Sequence, residues 1–470
     1  MDFPEEFFGN DNESEEKELY ERIQKFKELI ARGEIYSNIE AIEDLIHSCL
    51  ELDYNYEGLV LINALMEISQ YNSEYWYLKG SFLSNLLKFE EAYDCLNTSL
   101  SLNPFDIETL LSKAHVEDNL NLTEDAIVTL NKALEIDPGN EEVYFNLASI
   151  YERDGDYETA ITNFNQAINL DNEFSEAFYE LGYCHEMLDD FDNALKAYDK
   201  YLEIEPYSSS GWYNRGIVLI RDGKYEKALD SFDLAIAIRE DFANAWFNKG
   251  IALANLSRLA EALLAFKNAA LLDKNDEAIF FNIGQVYEDM EDLQNAIKNY
   301  TIAISLDSNY YEAYLARGYC YDEVGKFHLA LKDFNKAISI TNDSVEAWGA
   351  KADLEYSIGN LKESVESYNK AITYDPDNFE IRYKLAETYM ELAQWLESKQ
   401  EFEECIRLSP DDANSYYGKA KVSFILLQTQ EAISSLKTAF SLDPKKKDEF
   451  TKEYPEVKSS KLFKKLLEDF

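Results

Sequence analysis

Trp212-Tyr213-Asn214-Arg215-Gly216-Ile217-Val218-Leu219-Ile220-Arg221-Asp222-Gly223-Lys224-Tyr225, continued by Ala228, Phe232 and Ala235, carries apolar residues at helical spacing on both sides of Gly223. The pattern predicts one helix from about residue 210 to 222 and a second from about 225 to 238. Gly223 lies between them, where a left-handed residue ends the first helix without steric cost. The unit is a helical hairpin, and it recurs. Gly80, Ala114, Ala148, Gly182, Gly216, Gly250, Gly284, Gly318, Ala352, Ala386 and Ala420 stand 34 residues apart with no insertion. One packing unit is reused along nearly the whole chain, which predicts an all-α solenoid of stacked hairpins.

Each position of the repeat has a physical task. Gly182, Gly216, Gly250, Gly284 and Gly318 fall inside the first helix, where glycine costs about 1 kcal/mol relative to alanine, so a close contact must offset it. Ala160, Ala194, Ala228, Ala262, Ala296 and Ala330 recur in step on the second helix and are expected to face those glycines. Phe164, Tyr198, Phe232, Phe266, Tyr300, Phe334, Tyr368 and Phe402 form a core comb on the second helix. Ala133, Ala167, Ala235, Ala269, Ala303, Ala337, Ala371 and Ala439 are expected to meet the next unit. Pro104, Pro138, Pro206, Pro376, Pro410 and Pro444 share one phase and stop the second helix.

Together these positions resemble the tetratricopeptide repeat family: Trp/Tyr/Phe, then Leu-Gly or its variant, then Tyr, Ala, Phe/Tyr, Ala and Pro at the family's spacing. The resemblance covers eleven units over 73–444 and a weaker, degenerate unit over 39–72. Ser364 and Ser398 replace the small Ala, Tyr201 and Cys405 the second Ala, and Glu240, Lys274, Ser308 and Asn342 the Pro. The resemblance implies a right-handed superhelix whose first helices line an inner face where ligands lie.

The ends read as caps. Residues 1–38 form an acidic start followed by a helical stripe of Leu19, Ile23, Phe26 and Ile30. Residues 445–470 are Lys-rich and carry Phe450, Tyr454, Leu462, Phe463, Leu466, Leu467 and Phe470, split by Pro455. Solenoids need such covers for their terminal hydrophobic faces.

Lys+Arg 44 against Asp+Glu 91 gives a net charge of −47. A surface this acidic repels phosphate backbones and anionic lipid, which argues against nucleic acid and membrane and favours basic or amphipathic partners. The N-terminus lacks a basic start and apolar run, and the five cysteines are scattered, so a cytoplasmic, reducing location is expected.

Signatures of chemistry do not assemble. His185-Glu186 is followed by Asp189 where a zinc-protease helix needs its second histidine, and Gly223-Lys224 and Gly325-Lys326 precede Tyr225 and Phe327 instead of Ser or Thr. His47 with Cys49, and Cys184 with His185, are too poorly placed to chelate as pairs. The expectation is a non-enzyme without cofactor or metal.

Binding is expected on the first helices. A second aromatic series, Tyr77, Phe145, Tyr179, Tyr213, Phe247, Phe281, Tyr383 and Tyr417, follows the first by one residue, with Tyr183, Ile217, Ile251 and Gln285 four residues further on. Tyr213, Ile217 and Ile220 with Phe247, Ile251 and Ala254, flanked by Phe281 and Tyr183, predict an apolar groove. Asn146, Asn214, Asn248 and Asn282 follow the aromatics and resemble the asparagine ladder of the O-linked N-acetylglucosamine transferase superhelix, which implies a grip on peptide backbone. Glu108, Glu142, Glu176, Glu312, Glu346 and Glu380, with Asp118, Glu152, Glu186, Glu288 and Asp322, rim this face, whereas only Arg153, Arg221 and Lys421 offer positive charge. The expected function is a scaffold holding a protein or peptide segment, centred on 175–310. The alternatives are self-association into a structural scaffold and an accessory subunit of an enzyme or of a secretion or assembly machine.

Overall fold

The computed structural model describes residues 10–32 and 34–455. Among these there are twenty-six helices and no strand, and consecutive helices pack against each other in hairpins. The helices around Gly223 run Ser209–Arg221 and Tyr225–Ile238, within a residue of the sequence reading. Two compact units are formed, one ending at Arg239 and one beginning at Glu240. Each is an all-α solenoid.

Every hairpin turn uses the same backbone device. Gly155, Gly223, Gly325 and Gly359 have φ between 70° and 83°, the left-handed region that ends the first helix. The same turn position is held by Asp53, Leu87, Asn121, Asp189, Ser257, Glu291, Ala393 and Leu427, with φ of 56° to 61°. All twelve stand in one 34-residue phase, so packing of the two helices imposes this conformation even where no glycine eases it.

The small residues inside the first helices meet the second-helix comb expected to face them, since Ser364 and Ser398, which replace its alanine, donate to Ala352 O and Ala386 O at 2.9 and 2.8 Å, and a ring crowds the same place. A Cβ added to Gly216, Gly250, Gly284 or Gly318 would lie 2.5–2.6 Å from the ring sixteen residues later, Phe232, Phe266, Tyr300 or Phe334. The contact is small residue against ring, because the aromatic side chain is long enough to cross the helix interface and fill the space a side chain would need. The alanines Ala160, Ala194, Ala228, Ala262, Ala296 and Ala330 are themselves fully buried.

The first aromatic comb fastens the entry to each hairpin. The indole Nε1 of Trp76, Trp212, Trp246 and Trp348 donates to the carbonyl six residues earlier, on Gln70, Pro206, Glu240 and Asn342, at 2.9–3.3 Å. Arg382 Nε does the same to Pro376 O at 2.7 Å. Three residues on, Lys79, Arg215, Lys249 and Lys351 lie over these indoles at 5.1–5.8 Å.

At the N-terminal end Ile23 is fully buried, and Phe26 and Ile30 pack with it against Ile42, Leu45, Leu61 and Leu65. At the other end Phe450 is buried against Tyr417, Leu436 and Phe440, with Tyr454 beside it. The side chain of Leu19, and residues 462–470, lie outside the described residues. Among the described residues no helix is long and apolar enough to cross a membrane.

Candidate functional site

The second aromatic series is half-buried apart from Tyr417, which is buried, since each ring gives one side to the core. Phe145 packs against Phe164 and Phe174, Tyr179 against Tyr198 and Tyr201, Tyr213 against Phe232, Phe247 against Phe266, and Phe281 against Tyr300 and Tyr310, with centroids 5.0–6.0 Å apart. These rings therefore serve packing whatever else they touch. Tyr183 stands edge-on to Tyr157, and Ile217, Ile220 and Ile251 are half-buried.

The asparagines are likewise engaged. Asn146, Asn248 and Asn282 donate Nδ2 to the carbonyls of Glu142, Asn244 and Ala278 at 2.7–2.9 Å within their own helices. Asn214 donates to the Tyr179 hydroxyl at 2.8 Å, joining successive first helices. These bonds reduce the ladder's capacity toward a ligand.

Two acids near the ends of first helices in the first unit are paired in register. Arg153 pairs with Asp118, and Arg221 with Glu186 at 3.0 Å and Asp189 at 2.5 Å. The two arginines thus act as inter-repeat ties and are committed within the chain. Glu152, between them in phase, has no such counter-ion. Burial and the neighbouring Glu180 carboxylate push its carboxyl up to about 7, against a smaller opposing effect of Arg153.

In the second unit three first helices, Ala243–Asn255, Glu277–Asp289 and Tyr311–Glu323, together with Glu346 on the next, enclose a cleft of about 540 Å³. Of the sequence-derived residues, Ile251, Phe281 and Asn282 line it, as do Ala254, Gln285, Glu288, Glu312 and Glu346. Tyr311, Leu315, Ala316 and Tyr319 line it too and were not among the expected groove residues. Tyr319 occupies the repeat position of Ile217, Ile251 and Gln285, so the phase alone would have found it. It escaped because Leu315 interrupts the aromatic series that drew attention to each helix. Tyr179, Tyr183, Tyr213, Asn214, Ile217 and Ile220 belong to the first unit, and Phe247 and Asn248 lie outside the lining of this cleft.

The cysteines are free and buried. Burial pushes the Cys49 thiol up to about 11 and those of Cys320 and Cys405 up to about 12, which holds them in the unreactive thiol form.

Stacked helical hairpins of constant length, with core rings on the second helices and polar and aromatic side chains on the first, define a helical-repeat protein. The chain belongs to the tetratricopeptide repeat family. A family model described as "Tetratricopeptide repeat" matches residues 73–106, 107–140, 278–310, 311–344 and 379–412, and others of that description match 129–162, 197–230 and 175–208. A model described as "TPR repeat" matches 154–189 and 352–392. No curated protein matches the chain. Among solved structures it is similar to YrrB, described as "a TPR protein with an unusual peptide-binding site", at 25% identity over 39% of this chain and 95% of that one, with a TM-score of 0.36. It is similar to MamA from Desulfovibrio magneticus RS-1 at 22% identity over 36% and 96% of the two chains (TM-score 0.35). The Cut9–Hcn1 hetero-tetramer structure matches at 14% identity over 85% and 92%, with a TM-score of 0.37.

Proposed function

We propose that this chain is a non-catalytic scaffold that holds a protein or peptide segment against its first helices, and that the segment is basic or amphipathic. The observation that carries this reading is the cleft of the second unit. It is large enough for several side chains, it has aromatic and aliphatic walls in Phe281, Tyr319 and Ile251, and carboxylates stand at its edges. A scaffold in a reducing cytoplasm also accounts for five thiols kept buried and unreactive.

Gln285 is exposed and lines the cleft, whereas Leu264 is exposed on a second helix. A photo-crosslinking residue placed at 285 should capture a discrete partner in cells, identified by mass spectrometry, and one placed at 264 should not. Capture of another copy of this chain would mark self-association. Equal capture from both positions, or none from 285, refutes binding in this cleft.

A further inference from the structure

In the first unit the fold pairs two of the three acids at this repeat position, Glu152 being the exception because Met187 stands where its arginine would be. Asp118 and Glu186 stand near the ends of first helices, and each is held by an arginine 35 residues later. The Arg221 guanidinium also lies 5.4 Å over the Phe191 ring. In the second unit Glu288 and Asp322 occupy the same repeat position as those acids, but the arginine's place is taken by Glu323 and Ser357. The acid persists and its cation does not.

Nothing on the cleft wall replaces it. Glu288 accepts from the Tyr300 hydroxyl at 2.6 Å, and the other carboxylates on the wall are Asp289, Glu312 and Glu346. No Lys, Arg or His lines the cleft, and among the described residues none of these carboxylates makes an ion pair. The two cations of the adjoining first helix Phe379–Glu391 are occupied, Lys384 by Asp353 and Glu380, both at 2.9 Å, and Arg382 by Glu401 at 2.6 Å. Burial and Asp353 push the Asp322 carboxyl up, as expected where negative charge is left uncompensated.

Resting on the scaffold reading, we propose that the second-unit cleft is a subsite for an arginine side chain of the partner, which supplies from outside the guanidinium that Arg153 and Arg221 supply within the first unit. The carboxylates receive the planar donor fork, Tyr311 and Tyr319 offer ring faces for stacking, and Leu315 with Ile251 covers the aliphatic stem. Specificity comes from the charge, because a neutral side chain of the same length leaves the carboxylates unpaired.

The test uses the full chain and a fluorescein-labelled peptide, Gly-Ser-Leu-Arg-Leu-Arg-Leu-Ser-Gly, against its counterpart with Gln at both Arg positions. Binding is read by anisotropy at about 0.15 M salt. The Arg peptide is expected to bind at least about tenfold more tightly. Glu312→Gln with Glu346→Gln should remove most of that preference, whereas Glu90→Gln with Glu124→Gln, exposed on second helices of the other unit, should keep it. Glu323→Arg restores the missing cation within the chain and should abolish the preference by filling the site. Equal binding of the two peptides overturns the proposal, as does equal weakening by the second-helix pair, which would reveal only a long-range field. An Arg preference that survives Glu323→Arg also overturns it. Crosslinked capture at 285 without any Arg preference would sink this inference and leave the scaffold reading standing; absence of capture at 285 would sink both.

Discussion

Eight hairpin turns hold a residue with a side chain in the left-handed region, and relieving two of them should stabilise the protein. Leu87 has φ 58° and Leu427 φ 61°, and their side chains are 75% and 87% exposed, so truncation sacrifices little packing. The left-handed conformation costs an L-residue roughly 1–2 kcal/mol. Glycine removes that strain but adds about 0.5–1 kcal/mol of backbone entropy to the unfolded chain. The net expectation for Leu87→Gly or Leu427→Gly is a gain of about 0.5–1 kcal/mol each. Because repeat arrays open segment by segment, hydrogen exchange is the sharper assay beside urea melts. The amides of Lys88 and Gln428 close these turns by donating to Leu83 O at 2.9 Å and Ser423 O at 2.8 Å, and their protection should rise about two- to fivefold. Asn121→Gly, at φ 59°, is the internal control and should be nearly neutral, since asparagine tolerates this region. Gly223→Leu should lose stability. If Leu87→Gly and Leu427→Gly instead weaken protection, the turns are not strained and the reasoning fails.

Three further outcomes are expected. Gly250→Leu should destabilise by about 3 kcal/mol or more in urea melts, because the Phe266 ring already lies 2.6 Å from where a Cβ would start. Gly250→Ala should cost less, since Ala148 and Phe164 hold the same two positions and are both fully buried. Arg317 grips the buried Asp333 carboxylate with two hydrogen bonds of 2.7 and 2.8 Å, so Arg317→Ala should cost about 3–5 kcal/mol, and Arg317→Met with Asp333→Leu should recover most of it. Glu152 gives a pH signature. Its folded carboxyl holds a proton up to about 7, above the ordinary carboxylate range of the unfolded chain, so between those values the folded state binds more protons and this group's contribution to stability falls as pH rises. Glu152 faces Glu180, a like charge, and Arg153, which is committed to Asp118. The thermal midpoint of Glu152→Gln relative to the unsubstituted chain should accordingly climb as pH rises from about 5 to 8. A constant difference would show that burial and Glu180 do not raise the Glu152 carboxyl.

The 34-residue comb made the fold legible because a repeat exposes its packing rules by repetition: a position that is always small, or always a ring, must be buried in the same way each time. What it could not assign was the partner of each position. The ring that crowds Gly216 and Gly250 was not foreseen, because two small combs and one ring comb share the second helix, and periodicity alone does not say which of them crosses the interface. The turns at Leu87, Ser257 and Glu291 were equally hidden, since sequence flags a left-handed residue only where glycine or asparagine stands, whereas the hairpin geometry enforces it everywhere. The cleft was half legible. Ile251, Phe281, Asn282, Glu312 and Glu346 were drawn from the phase of the first helices, yet the significance of the acids depended on cations elsewhere. Arg153 and Arg221 read as isolated charges until the structure showed them tied to acids one repeat back. Once that spacing is known, the sequence says more than it did before: Asp118 and Glu186 have an arginine 35 residues later, whereas Glu152, Glu288 and Asp322 have Met187, Glu323 and Ser357. In a solenoid, where packing positions vary little, the first-helix acids that stand without such an arginine are the positions to test first for a group supplied from outside.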